Sequence, residues 1–248
     1  MDAVFNFRVI VSLISLFFIF PSSLIAKPNS TKIFESNGYK YQIAPPGTWV
    51  DENTYRKPSK KNHEPVNYLL LDHQVKFSSE STDVYYRHVE QPLTTDGLEQ
   101  VSTLEVVFNP AYQTLTWHGV SILREGKKID RLSSSNIKLL QREEDLGQAI
   151  VDGYVTSLLV VSGTRKGDVL DYSYTITGRN PIFGSHIFYE TQMGWSVQVD
   201  QLHKRFIFET EGELQYQNYQ FSYEPEIIKN ENQIQYKWAL QNTSPIFL

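Results

Sequence analysis

Alternation of apolar and polar positions recurs along most of the chain and predicts one strand after another. In "DVLDYSYTITG" (168–178), Val169, Asp171, Ser173 and Thr175 alternate with Leu170, Tyr172, Tyr174 and Ile176. A repeat of two places the two sets on opposite faces of a pleated strand. The same reading applies to "VNYLLLDHQVKF" (66–77), "DVYYRHVEQPL" (83–93) and "LEQVSTLEVVFNP" (98–110), the last ended by the turn-favouring pair Asn109-Pro110. "QTLTWHGVSILREGKKIDRL" (113–132) reads as a hairpin turned at Gly126. Further strands are predicted at "YVTSLLVVSG" (154–163), "HIFYETQMGWSV" (186–197), "LHKRFIFETEG" (202–212), "LQYQNYQFSYEP" (214–225) and "NQIQYKWALQN" (232–242). "SNIKLLQREEDLG" (135–147) fits either a short helix capped by Asn136 or a strand followed by an acidic loop. No fixed repeat and no long helical period appears. The expected fold is all-β, an antiparallel β-sandwich with at most one short helix.

The two ends modify this picture. Residues 1–26 carry Arg8, an apolar run from Val9 to Phe20, a Pro-Ser-Ser break and Ala26, the layout of a cleaved secretory signal. The run is shorter than the roughly 20 apolar residues a spanning helix needs. Export to the periplasm or outside the cell is expected, with a mature chain starting near Lys27 and no stable membrane span. Residues 27–65 are rich in Pro, Asn, Ser and Lys and read as a partly ordered lead-in, ordered at "YKYQI" (39–43) and Trp49-Val50. Residues 66–248 then form the sandwich domain.

Composition excludes several chemistries. The 15 Tyr and 14 Phe suit pleated, half-buried surfaces. A formal net charge of −5, with "RKPSKK" (56–61) the main basic cluster, argues against a nucleic-acid partner. The chain has 0 Cys, so thiolate nucleophiles and thiolate metal ligands are ruled out. The 6 histidines are scattered without a metal-binding spacing, although His88 and Glu90 share a strand face and could begin a two-ligand site. The carboxylates of "REED" (142–145) read as a solvated turn or a weak calcium site. Ser133–Ser135 lack a nucleophile elbow, and "GTRKGD" (163–168) lacks phosphate-loop spacing. Asn29 and Asn242 lie in glycosylation sequons, relevant in a eukaryotic host. No catalytic residue, cofactor or metal is expected. Trp117, Trp195 and Trp238 would be the platform if the domain bound carbohydrate, but their alternating contexts suit core positions better.

"GRNPIFG" (178–184) has more punctuation than ending a strand requires. Gly178 is expected at positive φ, Asn180 is held extended by Pro181, and Gly184 relaunches the chain. Ile182 and Phe183 form an apolar tip that either plugs the end of the sandwich or projects to dock a partner. Gly178, Asn180, Pro181, Ile182, Phe183 and Gly184 are therefore the candidate partner-docking loop.

"VVFNPAYQTLTWHGVSILREGKKIDRL", "IKLLQREED" and "GDVLDYSYTITGRNPIFG", in that order, resemble the bacterial domain-of-unknown-function family 3857, over roughly residues 66–245. The resemblance implies a β-sandwich that usually precedes a transglutaminase-like part in exported proteins. That companion works through Cys, His and Asp. The family offers no catalytic residues for the β domain itself, and a chain without Cys cannot carry the companion's chemistry. The resemblance thus implies a transglutaminase-like partner encoded nearby. The expected function is an exported, non-enzymatic interaction or substrate-presenting module. The alternatives are an accessory subunit of a separate transglutaminase-like or thiol hydrolase, and a carbohydrate-binding domain.

Overall fold

The computed structural model describes residues 30–56, 64–141, 153–184, 186–209, 217 and 223–246. Strands β1 (Lys32–Ser36) and β2 (Tyr39–Ile43) form a hairpin turned by Asn37 and Gly38 at φ 51° and 81°. An Asn-Gly pair reaches these left-handed angles at little cost, and their twist matches the flanking strands. Next come β3 (Val66–Phe77), β4 (Thr82–Pro92) and the helix α1 (Thr95–Val101). They are followed by β5 (Thr103–Phe108), β6 (Thr114–Arg124) and β7 (Lys127–Asp130). The remaining strands are β8 (Ile137–Gln141), β9 (Val155–Val160), β10 (Val169–Thr177), β11 (Val199–Phe208), β12 (Glu226–Lys229) and β13 (Ile234–Thr243).

A ten-stranded sheet has the order β1-β2-β6-β10-β4-β3-β11-β13-β12, with β7 also beside β6, and a three-stranded sheet has the order β5-β9-β8. The fold is mostly β, with one α-helix among the described residues, but it is not purely antiparallel. β11 runs parallel to β3 and β2 runs parallel to β6. Each of these strands enters beside a neighbour distant in sequence, so no tight turn dictates its direction. The main core cluster draws Leu104, Phe108, Leu139 and Leu159 from the smaller sheet and Leu115, Trp117, Ile122 and Leu170 from the larger one.

Several expectations need correcting locally. The start of "LEQVSTLEVVFNP" is helical because Thr94 caps α1, its Oγ1 accepting from the Gly97 N–H at 3.0 Å. Gly97 also lies against β3's entry, where an added Cβ would sit 1.9 Å from the Pro65 carbonyl oxygen. The ambiguous stretch after Asn136 is strand over Ile137–Gln141, while 142–145 lies outside the described residues. Within the segment read as a lead-in, residues 32–43 form the hairpin that extends the large sheet. "HIFYETQMGWSV" is not a strand, since β11 is already paired on both edges, by β3 and β13. Most of "LQYQNYQFSYEP" lies outside the described residues. Trp117 and Trp238 are 0% and 5% exposed and offer no sugar platform. The Trp117 Nε1–H donates to Ser157 Oγ at 3.2 Å in the core, and the Trp238 Nε1–H to the Tyr223 carbonyl at 3.0 Å.

Candidate functional site

The candidate docking loop leaves β10 at a fixed corner. Gly178 takes φ 119° and its N–H donates to the Thr82 carbonyl at 2.9 Å. The Arg179 guanidinium donates to the Ser79 and Ser78 carbonyls at 2.5 and 3.4 Å, tying the loop to the β3–β4 turn. Asn180 Oδ1 accepts from the Ile182 N–H at 3.0 Å and caps a short 3-10 turn over Pro181–Phe183, and Gly184 follows at φ 54°. This tethering keeps the tip off the core: Ile182 is 80% exposed, Phe183 49% and the nearby Phe188 76%. The plug alternative is thereby overturned. The rings of Phe183 and Phe188 lie 5.8 Å apart, and His186 stacks on Phe188 at 6.4 Å. Phe183→Ala is expected to change the unfolding free energy by less than about 0.5 kcal/mol, because a half-exposed ring leaves no cavity. A loss of several kcal/mol in a urea melt would show the ring to be core.

Beyond the tip, residues 186–198 lie over the large sheet as a strap. Parallel pairing of β3 with β11 sets Lys204 opposite His73. The Lys204 amine donates to Thr191 Oγ1 at 2.5 Å and to His73 Nδ1 at 3.1 Å. With Nδ1 accepting, His73 Nε2 carries the hydrogen and donates to Tyr189 Oη at 2.7 Å. Burial depresses Lys204 to about 7. Burial, then the neighbouring Lys204 and His88, holds His73 well below the ordinary imidazole value. Burial raises the Tyr86, Tyr174 and Tyr189 phenols. His73 also begins an aromatic ladder across the sheet, stacking on Tyr86 at 4.5 Å, with Tyr86 on Tyr174 at 5.2 Å and Tyr174 beside Trp117 at 5.3 Å.

Buried polar groups also occupy the alternate positions of the same two strands. His203 Nδ1–H donates to Asp72 Oδ1 at 2.8 Å, and the Asn53 amide to Asp72 Oδ2 at 2.9 Å. Gln74 exchanges hydrogen bonds with the Asp51 backbone at 2.9 and 2.7 Å. Arg205 and Arg87 donate to the Trp49 and Asn53 carbonyls, both at 2.6 Å. These side chains supply the partners that the irregular backbone of residues 49–53 needs when buried, so their role is to fasten that segment.

Sequence reading overlooked both clusters, although a signal was present. "DHQ" (72–74) and "HKR" (203–205) put consecutive polar residues inside strands flanked by apolar ones. A strand covered on both faces should be nearly all apolar. His88 and Glu90 do meet, at 3.3 Å, but the Tyr172 hydroxyl joins them at 3.0 and 3.3 Å to close a hydrogen-bonded triad. No group of three or more metal-ligating side chains occurs among the described residues, and no described helix is long and apolar enough to cross a membrane.

Fold and site together define a mostly β domain whose exposed apolar tip rides on a hydrogen-bonded strap. The chain belongs to the family described as a Domain of Unknown Function, DUF3857, whose model matches residues 78–247. No curated protein matches it. Among solved structures, a proposed protease from Parabacteroides distasonis ATCC 8503 is similar at a TM-score of 0.62 and 12% identity, over 74% of this chain and 36% of that one. This chain thus spans little more than a third of that protein. Yeast LTA4 hydrolase, with bestatin and native, aligns over 73% of this chain and 29% of its own at TM-scores of 0.35 and 0.33 and identities of 12% and 13%. Those scores are too low to argue a shared fold.

Proposed function

We propose that the chain is an exported, non-enzymatic interaction or substrate-presenting module, an incomplete sandwich of two sheets whose apolar tip at Ile182, Phe183 and Phe188 docks a hydrolase-type companion domain. The exposed tip carries this reading: Ile182, Phe183 and Phe188 present apolar surface on a loop anchored by Gly178, Arg179 and Asn180. Rigid, exposed aromatic anchors are the residues from which interface hot spots are made. The Parabacteroides protein supports a companion, since the matched region is only 36% of its chain. The occupant favoured here is a transglutaminase-like domain. An accessory subunit of such a hydrolase is the same arrangement seen from the enzyme's side. The carbohydrate reading loses two of its three tryptophans to the core.

Titration calorimetry of the full chain with a purified transglutaminase-like protein encoded in the same genome tests the docking reading. Phe188→Ala is expected to weaken binding at least about tenfold, as loss of an aromatic anchor does, while the melting temperature stays unchanged. Equal affinity for both proteins, or no binding by either, sinks the reading.

A further inference from the structure

Lys204 is a buried titratable group that docking leaves unused. It is 4% exposed beneath the strap, and no carboxylate among the described residues pairs with it. His73 faces it from β3, and Tyr189, Thr191 and Trp195 face it from the strap. Tyr86 and His88 on β4 line the far side of His73, and Trp238 of β13 sits opposite Lys204 in register. None of these groups supplies a negative charge near neutral pH, because the flanking phenols hold their protons more tightly than usual. A charge without a compensating partner in such surroundings is costly.

We propose that Lys204 is a proton-controlled latch for the strap: the neutral amine holds residues 189–195 down, and the ammonium lets them lift, moving the adjoining Phe188 tip. The link to the tip rests on the docking reading, whereas the latch itself is intramolecular. Among the described residues the amine has only the strap's Thr191 and the neighbouring His73 as hydrogen-bond partners, so lifting the strap admits water to it. An amine in water titrates near the ordinary lysine value of about 10.4, whereas under the strap it titrates at about 7. Between those values the open state binds more protons than the closed one. Opening therefore rises as pH falls through that window, by about tenfold per unit. Below pH 7 both states carry the proton and the dependence levels off.

Native-state cleavage by subtilisin within 189–195, located by mass spectrometry, reads the population of the open form when reclosing is fast. Cleavage is compared between wild type and Lys204→Met at each pH, so that the protease's own pH profile cancels. The wild-type-to-variant ratio is expected to fall about tenfold per unit from about pH 7.5 to about 9.5. A flat ratio overturns the latch. Lys204→Gln, also unable to titrate in this range, replaces the methionine variant if that one fails to fold, with the same expected slope. No partner is present in the assay, so a flat ratio removes the latch alone. Normal binding by Phe188→Ala would remove the docking reading alone.

Discussion

Gly178→Val is expected to destabilise the protein by on the order of 4 kcal/mol, combining backbone strain with overpacking. Gly178 sits at φ 119°, a region that L side chains rarely adopt. A Cβ there would lie 2.0 Å from the Tyr112 carbonyl oxygen and 3.1 Å from Gln113 Cα. Both obstacles are backbone, so no rotamer change relieves them. Gly184 provides the internal control: at φ 54° it has nothing within 4 Å of a built Cβ. Gly184→Ala should therefore cost only backbone strain, about 1–3 kcal/mol, because φ 54° with ψ −124° is a region side chains rarely adopt. In urea melts Gly178→Val should lose clearly more stability than Gly184→Ala. Equal, small losses would mean that the corner after β10 is not built as described.

Trp117→Ala is expected to cost about 3–5 kcal/mol, as truncating a large aromatic in a closed core does. Trp117 is 0% exposed and packs between the two sheets, so the cavity cannot be filled by solvent without disturbing both. The change also takes the indole N–H away from Ser157, itself 0% exposed. Trp195, half-buried on the strap, should cost far less on the same substitution. Calorimetric melting of both variants checks the contrast. A Trp117→Ala protein that melts like wild type would contradict a core shared by the two sheets.

Legibility in the sequence followed the range of the forces involved. Val66–Phe77 and Val169–Thr177 were visible as strands because a repeat of two is local, and the positive φ at Gly178 was visible from the glycine that ends the second of them. The helix at Thr95–Val101 was hidden, since two apolar residues, Leu98 and Val101, fit a strand as well as a one-sided helix of two turns. The latch was the least legible. Lys204, His73 and Thr191 come from three separated stretches, and only the parallel register of β3 with β11 brings them together. The exposure of Ile182 and Phe183 likewise depends on Arg179 reaching a turn on another pair of strands.

The parallel seam between β3 and β11 also governs how the molecule comes into being. β3 and β4 can pair as soon as both exist, because their register closes through a short turn at Ser78–Ser81. The far edge of β3 must wait for β11, which arrives only after β5 through β10 have left the chain's origin. Closing so long a loop before any contact rewards it makes for slow folding. Throughout that interval a long, mostly apolar strand shows an unpaired edge, the kind that recruits strands from other molecules. The yield of native protein on refolding should therefore fall as concentration rises, with the β3 edge as the point of vulnerability. A chaperone that shielded β3 until β11 docked would relieve this, while one acting on the β1–β2 hairpin would not.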